Sequence, residues 1–144
     1  MKSGFHMLNF ALAVLVVVAL MTASAQAQIS VIVAQSSSQK ANKDELKEIF
    51  SGARLTWSNG NKIQVVDQPE SEVGKKFYDG FVGKSVIQVR TQWTKLVLSG
   101  QAGAPTKCTD NDAVKKAVAS NPNAVGFISS SALDGTVKEI ARVD

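Results

Sequence analysis

Ser71 lies where a short apolar run gives way to helical spacing, and its type and position could support anion binding. The apolar run 63–66 ends in a polar turn, and Val73, Phe77 and Phe81 then recur at every fourth position, which predicts a helix. Serine is a favoured N-cap, since its hydroxyl accepts a hydrogen bond from a free N–H group of the first turn. Those N–H groups and the helix dipole favour negative charge. Ser71 and the start of this helix are therefore a candidate anion site.

Two further serine-rich loops follow apolar runs that are typical of buried strands. Residues 36–38 follow the run 29–34, and residues 129–131 follow the run 125–128. Because ligands of α/β sheets bind beyond the carboxyl ends of strands, we hypothesise that these loops converge with the loop before Ser71. Serines are also common turn residues, and this alternative stays open for both loops. The candidate ligand-binding residues are Ser71, Glu72, Ser37, Ser38, Ser129 and Ser130.

Three carboxylates, those of Asp67, Glu70 and Glu72, lie close to Ser71 in the sequence. They would repel an oxyanion, and an oxygen-rich cluster could instead hold a hard cation. Acidic residues before a helix are also a common complement to its dipole. We predict no metal site, because the dipole alone explains these residues.

The sequence offers little for catalysis. Its single histidine, His6, lies in an N-terminal leader, so the remaining chain lacks the commonest general base. We find no Gly-x-Ser-x-Gly elbow, no phosphate-binding P-loop and no paired-cysteine metal motif. Cys108 is the single cysteine, which excludes an intramolecular disulfide and predicts a small buried or half-buried thiol. We predict that the protein is not an enzyme and needs no cofactor.

Residues 1–27 have the composition of a secretion signal peptide. Lys2 supplies the basic start, residues 11–21 form the apolar core, and small residues up to Ala25 or Ala27 suit cleavage. The apolar core is shorter than the roughly 20 residues of a membrane span, and an uncleaved anchor is the competing interpretation. We predict a periplasmic or secreted protein after cleavage near Ala25 or Ala27. Residues 28–144 then form a single domain.

The formal net charge of +4 is spread along the chain rather than concentrated. Lys40, Lys43 and Lys47 alternate with acidic residues, as on a solvated surface. A nucleic-acid-binding protein would show a basic patch or stripe instead. We therefore predict no nucleic-acid partner.

Predicted strands and helices alternate along residues 28–144. Apolar and alternating patterns predict strands at 29–34, 63–66, 125–128 and 136–143. Helical spacing predicts intervening helices, and Val97 is placed on the inward face of the third. Trp57 and Trp93 are interpreted as packing residues. This order predicts an α/β fold, a layered single domain with a central mixed, largely parallel sheet flanked by helices.

Four segments, in this order, resemble the phosphate-type periplasmic substrate-binding proteins of ABC transporters. Residues 43–52 are similar to the family's helix with the pattern Leu-x-x-Ile-Phe-x-Gly. Residues 57–60 match the Trp-x-Asp-Gly turn that follows it, with asparagine in place of the aspartate. Residues 63–77 resemble its strand, loop and helix, and residues 121–128 resemble its Asn-Pro-Gly-Ala-Ile-Gly-Tyr strand entry. The resemblance spans most of residues 28–144.

The resemblance implies a function and a set of partners. Full-length relatives have two lobes that close over the anion, and this chain is long enough for one lobe. The resemblance implies binding of phosphate or another small oxyanion for ABC-type uptake, with a transporter membrane component as partner. A homodimer that pairs two lobes around one ligand stays open.

The family's anion-binding loop carries an arginine followed by Gly-Ser-Gly-Thr, and most of that loop is replaced here. Aligned back from the helix, only Ser71 carries over. The positions of the arginine, the two glycines and the threonine are occupied by Asp67, Glu70, Glu72 and Val73. An arginine offers two parallel hydrogen bonds and a charge to an oxyanion, whereas carboxylates repel it. A periplasmic interaction or assembly module that binds no ligand is therefore the alternative function.

Overall fold

The strands form largely where the sequence carries β-branched apolar runs, as seen in a computed structural model that describes residues 28–144. β1 (Ile29–Ala34) is buried along its whole length, as expected when both faces of a strand are covered. The other strands are β2 (Gln64–Asp67), β3 (Thr106–Lys107), β4 (Ala124–Ser129) and β5 (Val137–Val143). The predicted leader, residues 1–27, lies outside the described residues.

Four α-helices occur in this part of the chain, and each begins at a capping side chain. They are α1 (Lys43–Ser51), α2 (Glu72–Lys76), α3 (Val86–Leu98) and α4 (Asn111–Ala119). Asn42 and Ser85 each form a capping box with the third residue of their helix, and Asp110 caps α4. α2 continues directly into a π-helical segment, Phe77–Val82. None of the helices within residues 28–144 is long and apolar enough to cross a membrane.

The strands belong to one mixed sheet with the order β3-β2-β4-β1-β5. β2 runs parallel to β3 and β4, whereas β1 runs antiparallel to both β4 and β5. The carboxyl ends of β2 and β4 therefore lie at the same end of the sheet, and the carboxyl end of β1 lies at the opposite end. This architecture confirms the predicted α/β domain with a mixed sheet.

Two apolar cores lie on the two faces of the sheet. One face packs against α1, α3 and the π-helical segment, around a cluster of aromatic rings. Phe77 stacks on Phe127 with ring centroids 4.0 Å apart, and Phe50 meets Phe77 edge-on at 4.8 Å. The other face packs against α4, and a Cβ atom at Gly126 would lie 2.8 Å from the Val114 side chain. Glycine at this position therefore lets α4 approach β4 closely.

The structure corrects two local predictions. β2 begins one residue later than predicted, because Ile63 donates its N–H to Leu55 rather than to a neighbouring strand. Val97, which was predicted to face inward, is 37% exposed because α3 turns only Val89, Trp93 and Leu96 fully into the core.

The packing predictions for the tryptophans and the cysteine are confirmed. The indole N–H of Trp57 donates to the Asn123 carbonyl at 3.0 Å, and that of Trp93 donates to the Phe50 carbonyl at 2.9 Å. Both rings are buried. Cys108 is a half-buried free thiol.

Candidate functional site

The loops after β2 and β4 meet at one end of the sheet, because these strands are parallel neighbours. Gln68, which follows β2 directly, is 1% exposed and joins the two loops. Its side-chain amide donates to the Phe127 carbonyl at 2.9 Å and to Oδ1 of Asn111 at 3.0 Å. The same Asn111 oxygen accepts the backbone N–H of Ser129 at 3.2 Å. Two of the three predicted loops are thus held together by hydrogen bonds.

Ser71 is the N-cap of α2, as the sequence predicts. Its hydroxyl accepts the N–H of Gly74 at 2.9 Å and donates to the Gln68 carbonyl at 2.8 Å. Because a hydroxyl has one proton to donate, Ser71 has none left for an anion in this arrangement. Glu72 is exposed at the first position of α2. An anion held here would therefore depend on the backbone N–H groups of the first turn.

We expect Ser71→Ala to lower the free energy of unfolding by about 1 kcal/mol, because it removes the cap of α2. Ser71→Thr keeps a hydroxyl at the cap and should lose less. Urea unfolding followed by tryptophan fluorescence measures both changes. Equal stability of Ser71→Ala and the wild type would contradict a capping role for this hydroxyl.

Ser129 and Ser130 lie at the end of β4, where both are half-buried. Oγ of Ser129 lies 3.0 Å from Oγ of Ser131, and Oγ of Ser130 lies 2.8 Å from Oγ of Ser30. Ser30 donates in turn to the carboxylate of Glu139. The structure therefore brings Ser129 and Ser130 to the same end of the sheet as Ser71 and Glu72, with their hydroxyls in local hydrogen bonds.

Ser37 and Ser38 lie at the opposite end of the sheet, so the predicted convergence is wrong for this loop. The reason is the direction of β1, which runs antiparallel to β4. Ser37 is buried, and its hydroxyl accepts the N–H of Gln39 at 3.1 Å. Its carbonyl accepts a hydrogen bond from Lys138 on β5. Ser38 is exposed on the same loop, away from Ser71.

A cavity of about 310 Å³ lies beside the β2 loop, on the face of the sheet that carries α3. Val89, Trp93 and Pro105 contribute to its largely apolar lining, together with Asp67 and Tyr78. Oδ1 of Asp67 and the hydroxyl of Tyr78 are both buried, and the two groups approach each other without normal hydrogen-bond geometry. Asp67, at the position of the family's arginine, therefore lies in a buried polar site beside Tyr78.

The charges near Asp67 come from neighbouring elements. Arg90 on α3 and Lys107 on β3 line the same cavity and approach the carboxylate of Glu70 at 3.5 and 4.0 Å. Burial raises the pKa of Asp67 from 3.8 to about 6. The Tyr78 hydroxyl, which approaches without normal hydrogen-bond geometry, and the two cations oppose this rise. Burial, with the Asp67 charge adding to it, raises the pKa of Tyr78 well above its ordinary value.

Asp67, Glu70 and Glu72 do not form an acidic cluster. Asp67 lines the cavity, Glu70 lies against Arg90 and Lys107, and Glu72 is exposed. Across residues 28–144, no group of three or more His, Cys, Asp or Glu side chains could hold a metal ion. The structure therefore does not bring together the three carboxylates that the alternative interpretation places in one cation site.

Sequence reasoning missed Gln68, Asn111 and Tyr78 as residues of this region. A glutamine in a polar turn is ordinarily exposed, and its burial here depends on the pairing of β2 with β4. Asn111 reaches the loops only because α4 starts beside them. The one available signal for Tyr78 was an aromatic side chain just beyond the apolar face marked by Phe77.

The fold is similar to solved structures of phosphate transport proteins. An ABC-type phosphate transport receptor from Vibrio cholerae matches with a TM-score of 0.52 and 24% identity, over 78% of this chain and 44% of that chain. A structure from Clostridium perfringens, described as a phosphate ABC transporter substrate-binding protein with bound phosphate, matches with a TM-score of 0.62 and 19% identity, over 78% and 43%. PstS from Borrelia burgdorferi matches with a TM-score of 0.54 and 12% identity, over 78% and 46%. No protein-family model and no curated protein sequence matches the chain.

These similarities confirm the predicted resemblance at the level of the fold. The chain has the architecture of one lobe of a phosphate-type substrate-binding protein, and it spans less than half the length of each of these structures. The similar structures are transport substrate-binding proteins rather than enzymes.

Proposed function

We propose that the protein is an exported, substrate-binding-protein-like domain that binds phosphate or another small oxyanion at the loops after β2 and β4. The observation that carries the proposal is the junction at Gln68, which ties the loop before α2 to the backbone of β4. Backbone N–H groups in the first turn of α2 would hold the anion. The Ser129 hydroxyl would assist from the neighbouring loop, because Ser131 can donate the hydrogen bond that joins the two and leave the Ser129 proton free. The leader supports export, and the resemblance supports an ABC transporter membrane component as partner.

The affinity for an oxyanion should be weak. Carboxylates occupy the positions of the family's arginine and glycines, and those of Glu70 and Glu72 are exposed beside Ser71. A helix start stabilises a nearby negative charge by about 0.3–1 kcal/mol, which one adjacent carboxylate can cancel. We therefore expect a dissociation constant of about 1 mM or weaker for phosphate, which corresponds to about −4 kcal/mol.

Removal of the Glu72 carboxylate should strengthen phosphate binding. Because repulsion at the helix start is relieved, we expect Glu72→Gln to lower the dissociation constant roughly two- to fivefold. Calorimetric titration with phosphate at low and moderate salt measures this change, with sulfate and calcium in parallel. Asp44→Asn is the matched control, since it removes the same charge from the first turn of α1.

Two results would contradict the proposal. One is the absence of heat with every oxyanion, for both the wild type and Glu72→Gln, at protein concentrations that reveal millimolar binding. The other is an equal gain in affinity for Asp44→Asn, which would indicate a general charge effect rather than a site at α2.

A second candidate is an interaction or assembly module without a ligand. The observation in its favour is the surface of α3, where Ile87 is 74% exposed and Leu98 is 83% exposed. A homodimer is the simplest form of such an assembly. Silent phosphate titrations together with a dimer mass in light scattering would favour this candidate over the first.

A further inference from the structure

The solvent-facing side of α3 carries a line of residues that departs from the polar pattern of an ordinary exposed helix face. Val89, Trp93 and Leu96 are buried in the core, and the residues opposite them recur at spacings of four, three and four. Since 3.6 residues make one turn, this line forms a narrow stripe roughly 16 Å long. We call it the α3 ridge, and it consists of Ile87, Thr91, Thr94 and Leu98.

The α3 ridge is compatible with an apolar environment. Ile87 is 74% exposed and Leu98 is 83% exposed, and these two residues mark its ends. The hydroxyl of Thr91 donates to the Ile87 carbonyl at 2.9 Å, and that of Thr94 donates to the carbonyl one turn before it at 2.8 Å. Contact with a hydrocarbon phase therefore leaves neither threonine proton without an acceptor. The outermost line of α3 resembles the apolar face of a helix that lies at a membrane surface.

Positive charge flanks the α3 ridge. Helical spacing places Arg90 and Lys95 on its two sides, at roughly 60–80° from the line of Ile87 around the helix axis. Between Asp79 and Asp110 the chain holds four basic residues and no acidic residue. The four basic residues, all exposed, are Lys84, Arg90, Lys95 and Lys107.

The nearest acidic side chains lie toward one end of the α3 ridge. Glu70 approaches Arg90 at 3.5 Å, and it lines a depression beside Ile87 together with Asp79. Lys95, which is one turn from Leu98, has no ion-pair partner within residues 28–144. The end of the ridge at Leu98 is therefore the more basic one, and attraction to a negatively charged surface should be greatest there.

We propose that the α3 ridge binds the surface of a membrane that contains anionic lipids. Leu98 and Ile87 enter the boundary of the acyl chains, and the flanking cations lie against the lipid phosphates. Few apolar anchors together with lysine and arginine give reversible binding of this kind. A second copy of the chain suits the ridge less well, because a two-fold contact would bring the flanking cations of both copies together. Membrane binding at the α3 ridge does not depend on oxyanion binding at α2.

The test is flotation of the protein with vesicles of phosphatidylcholine, either alone or mixed with about one third phosphatidylglycerol. An apolar leader would itself bind vesicles, so the wild type and the variants are purified in the same exported form, and mass spectrometry identifies its first residue. We expect binding to the mixed vesicles to be about tenfold tighter than to phosphatidylcholine alone. This preference should decrease as the salt concentration rises from about 0.05 to about 0.5 M.

Substitutions at exposed positions assign the binding to the α3 ridge with little risk to folding. Leu98→Ser should weaken binding to the mixed vesicles about tenfold, and Ile87→Ser should weaken it less, because acidic side chains lie beside Ile87. Lys95→Gln should weaken it about fivefold. Lys116→Gln is the matched control and should bind as the wild type does, since Lys116 is an exposed lysine of α4, on the opposite face of the sheet.

Leu98→Trp tests whether the ridge enters the acyl region. Lipids with brominated acyl chains should quench the fluorescence of this variant more than that of the wild type, whose two tryptophans are buried. Phosphate titration of Leu98→Ser separates the two sites, because phosphate binding at α2 should persist when vesicle binding is weakened.

Four results would overturn the proposal. The first three are equal binding to both kinds of vesicle, an equal loss for Lys116→Gln and Lys95→Gln, and no additional quenching in Leu98→Trp. The fourth is a dimer in light scattering that Leu98→Ser dissociates, which would assign the α3 ridge to a second copy of the chain.

Discussion

Gly74→Ala is expected to lower the free energy of unfolding by about 2–3 kcal/mol, although alanine is the better helix former. A Cβ atom at position 74 would lie 2.1 Å from the Gln68 carbonyl oxygen and 3.1 Å from the Pro69 carbonyl carbon. Both are backbone atoms, so rotation of a side chain cannot relieve the contact. Alanine gains about 0.5–1 kcal/mol of helix stability over glycine, which is less than the cost of forcing α2 away from the loop.

Gly80→Ala is the matched control for this prediction. Gly80 lies in the π-helical segment that continues α2, and a Cβ atom there has nothing within 4 Å. The same substitution should therefore be neutral, or stabilising by up to about 1 kcal/mol. Urea unfolding followed by tryptophan fluorescence compares the two variants. Equal stabilities would show that α2 does not need its close approach to Gln68.

The close approach at Gly74 also explains how so short a helix is held in place. α2 has five residues, and a helix of that length is unstable in isolation. The N–H of Gly74 donates to Ser71, and Ser71 donates to the Gln68 carbonyl that the glycine faces. One glycine thus couples the helix start, its cap and the loop between β2 and α2, whose Gln68 side chain contacts β4.

Elements with local signals were predictable from the sequence. α1 follows the capping box of Asn42 and Glu45, and its apolar residues recur with helical spacing and are buried. Ser71 was likewise predicted as a cap, because a cap needs only neighbouring backbone N–H groups. β1 was predicted with its exact bounds from a six-residue apolar run.

Features that depend on distant parts of the chain were not predictable. The direction of β1 is set by its pairing with β4 and β5, and this direction separates Ser37 and Ser38 from the other loops. Gln68 is buried because β4 lies beside β2. An apolar run indicates that a strand is buried, but it does not predict which strands lie beside it or in which direction it runs.

The candidate site shows the same division between local and distant information. The replacement of the family's arginine by Asp67 was visible in the sequence, and it indicated a weakened oxyanion loop. The cavity that Asp67 lines was not visible, because Arg90, Lys107 and Tyr78 come from three separate elements. The burial of this carboxylate leads to a second measurable consequence.

The free energy of unfolding of Asp67→Asn, measured relative to that of the wild type, is expected to increase by about 3 kcal/mol as the pH rises from about 3.8 to about 6. The pKa of Asp67 is about 6 in the folded protein, against 3.8 as the ordinary value, because burial disfavours the charged form. Between these pH values the folded state holds a proton that the unfolded state has released. The stability of the wild type therefore falls over this interval, and the penalty remains at higher pH.

The charged neighbours of Asp67 oppose the effect of burial on its pKa, so the sign of the pH dependence shows which of the two is larger. Lys107 and Arg90 favour the carboxylate, as does the Tyr78 hydroxyl, yet burial outweighs them together. Tyr78→Phe removes one of these favourable contacts and should therefore widen the pH-dependent loss of stability.

Urea unfolding of the wild type, Asp67→Asn and Asp67→Leu at a series of pH values tests this balance. Other titrating groups are common to all three proteins, so differences between the curves isolate Asp67. From low to neutral pH, the difference in free energy of unfolding from the wild type should change by the same amount for both variants. The packing of each new side chain adds a difference that does not depend on pH. Curves that stay parallel would show that the carboxylate is satisfied in the folded protein.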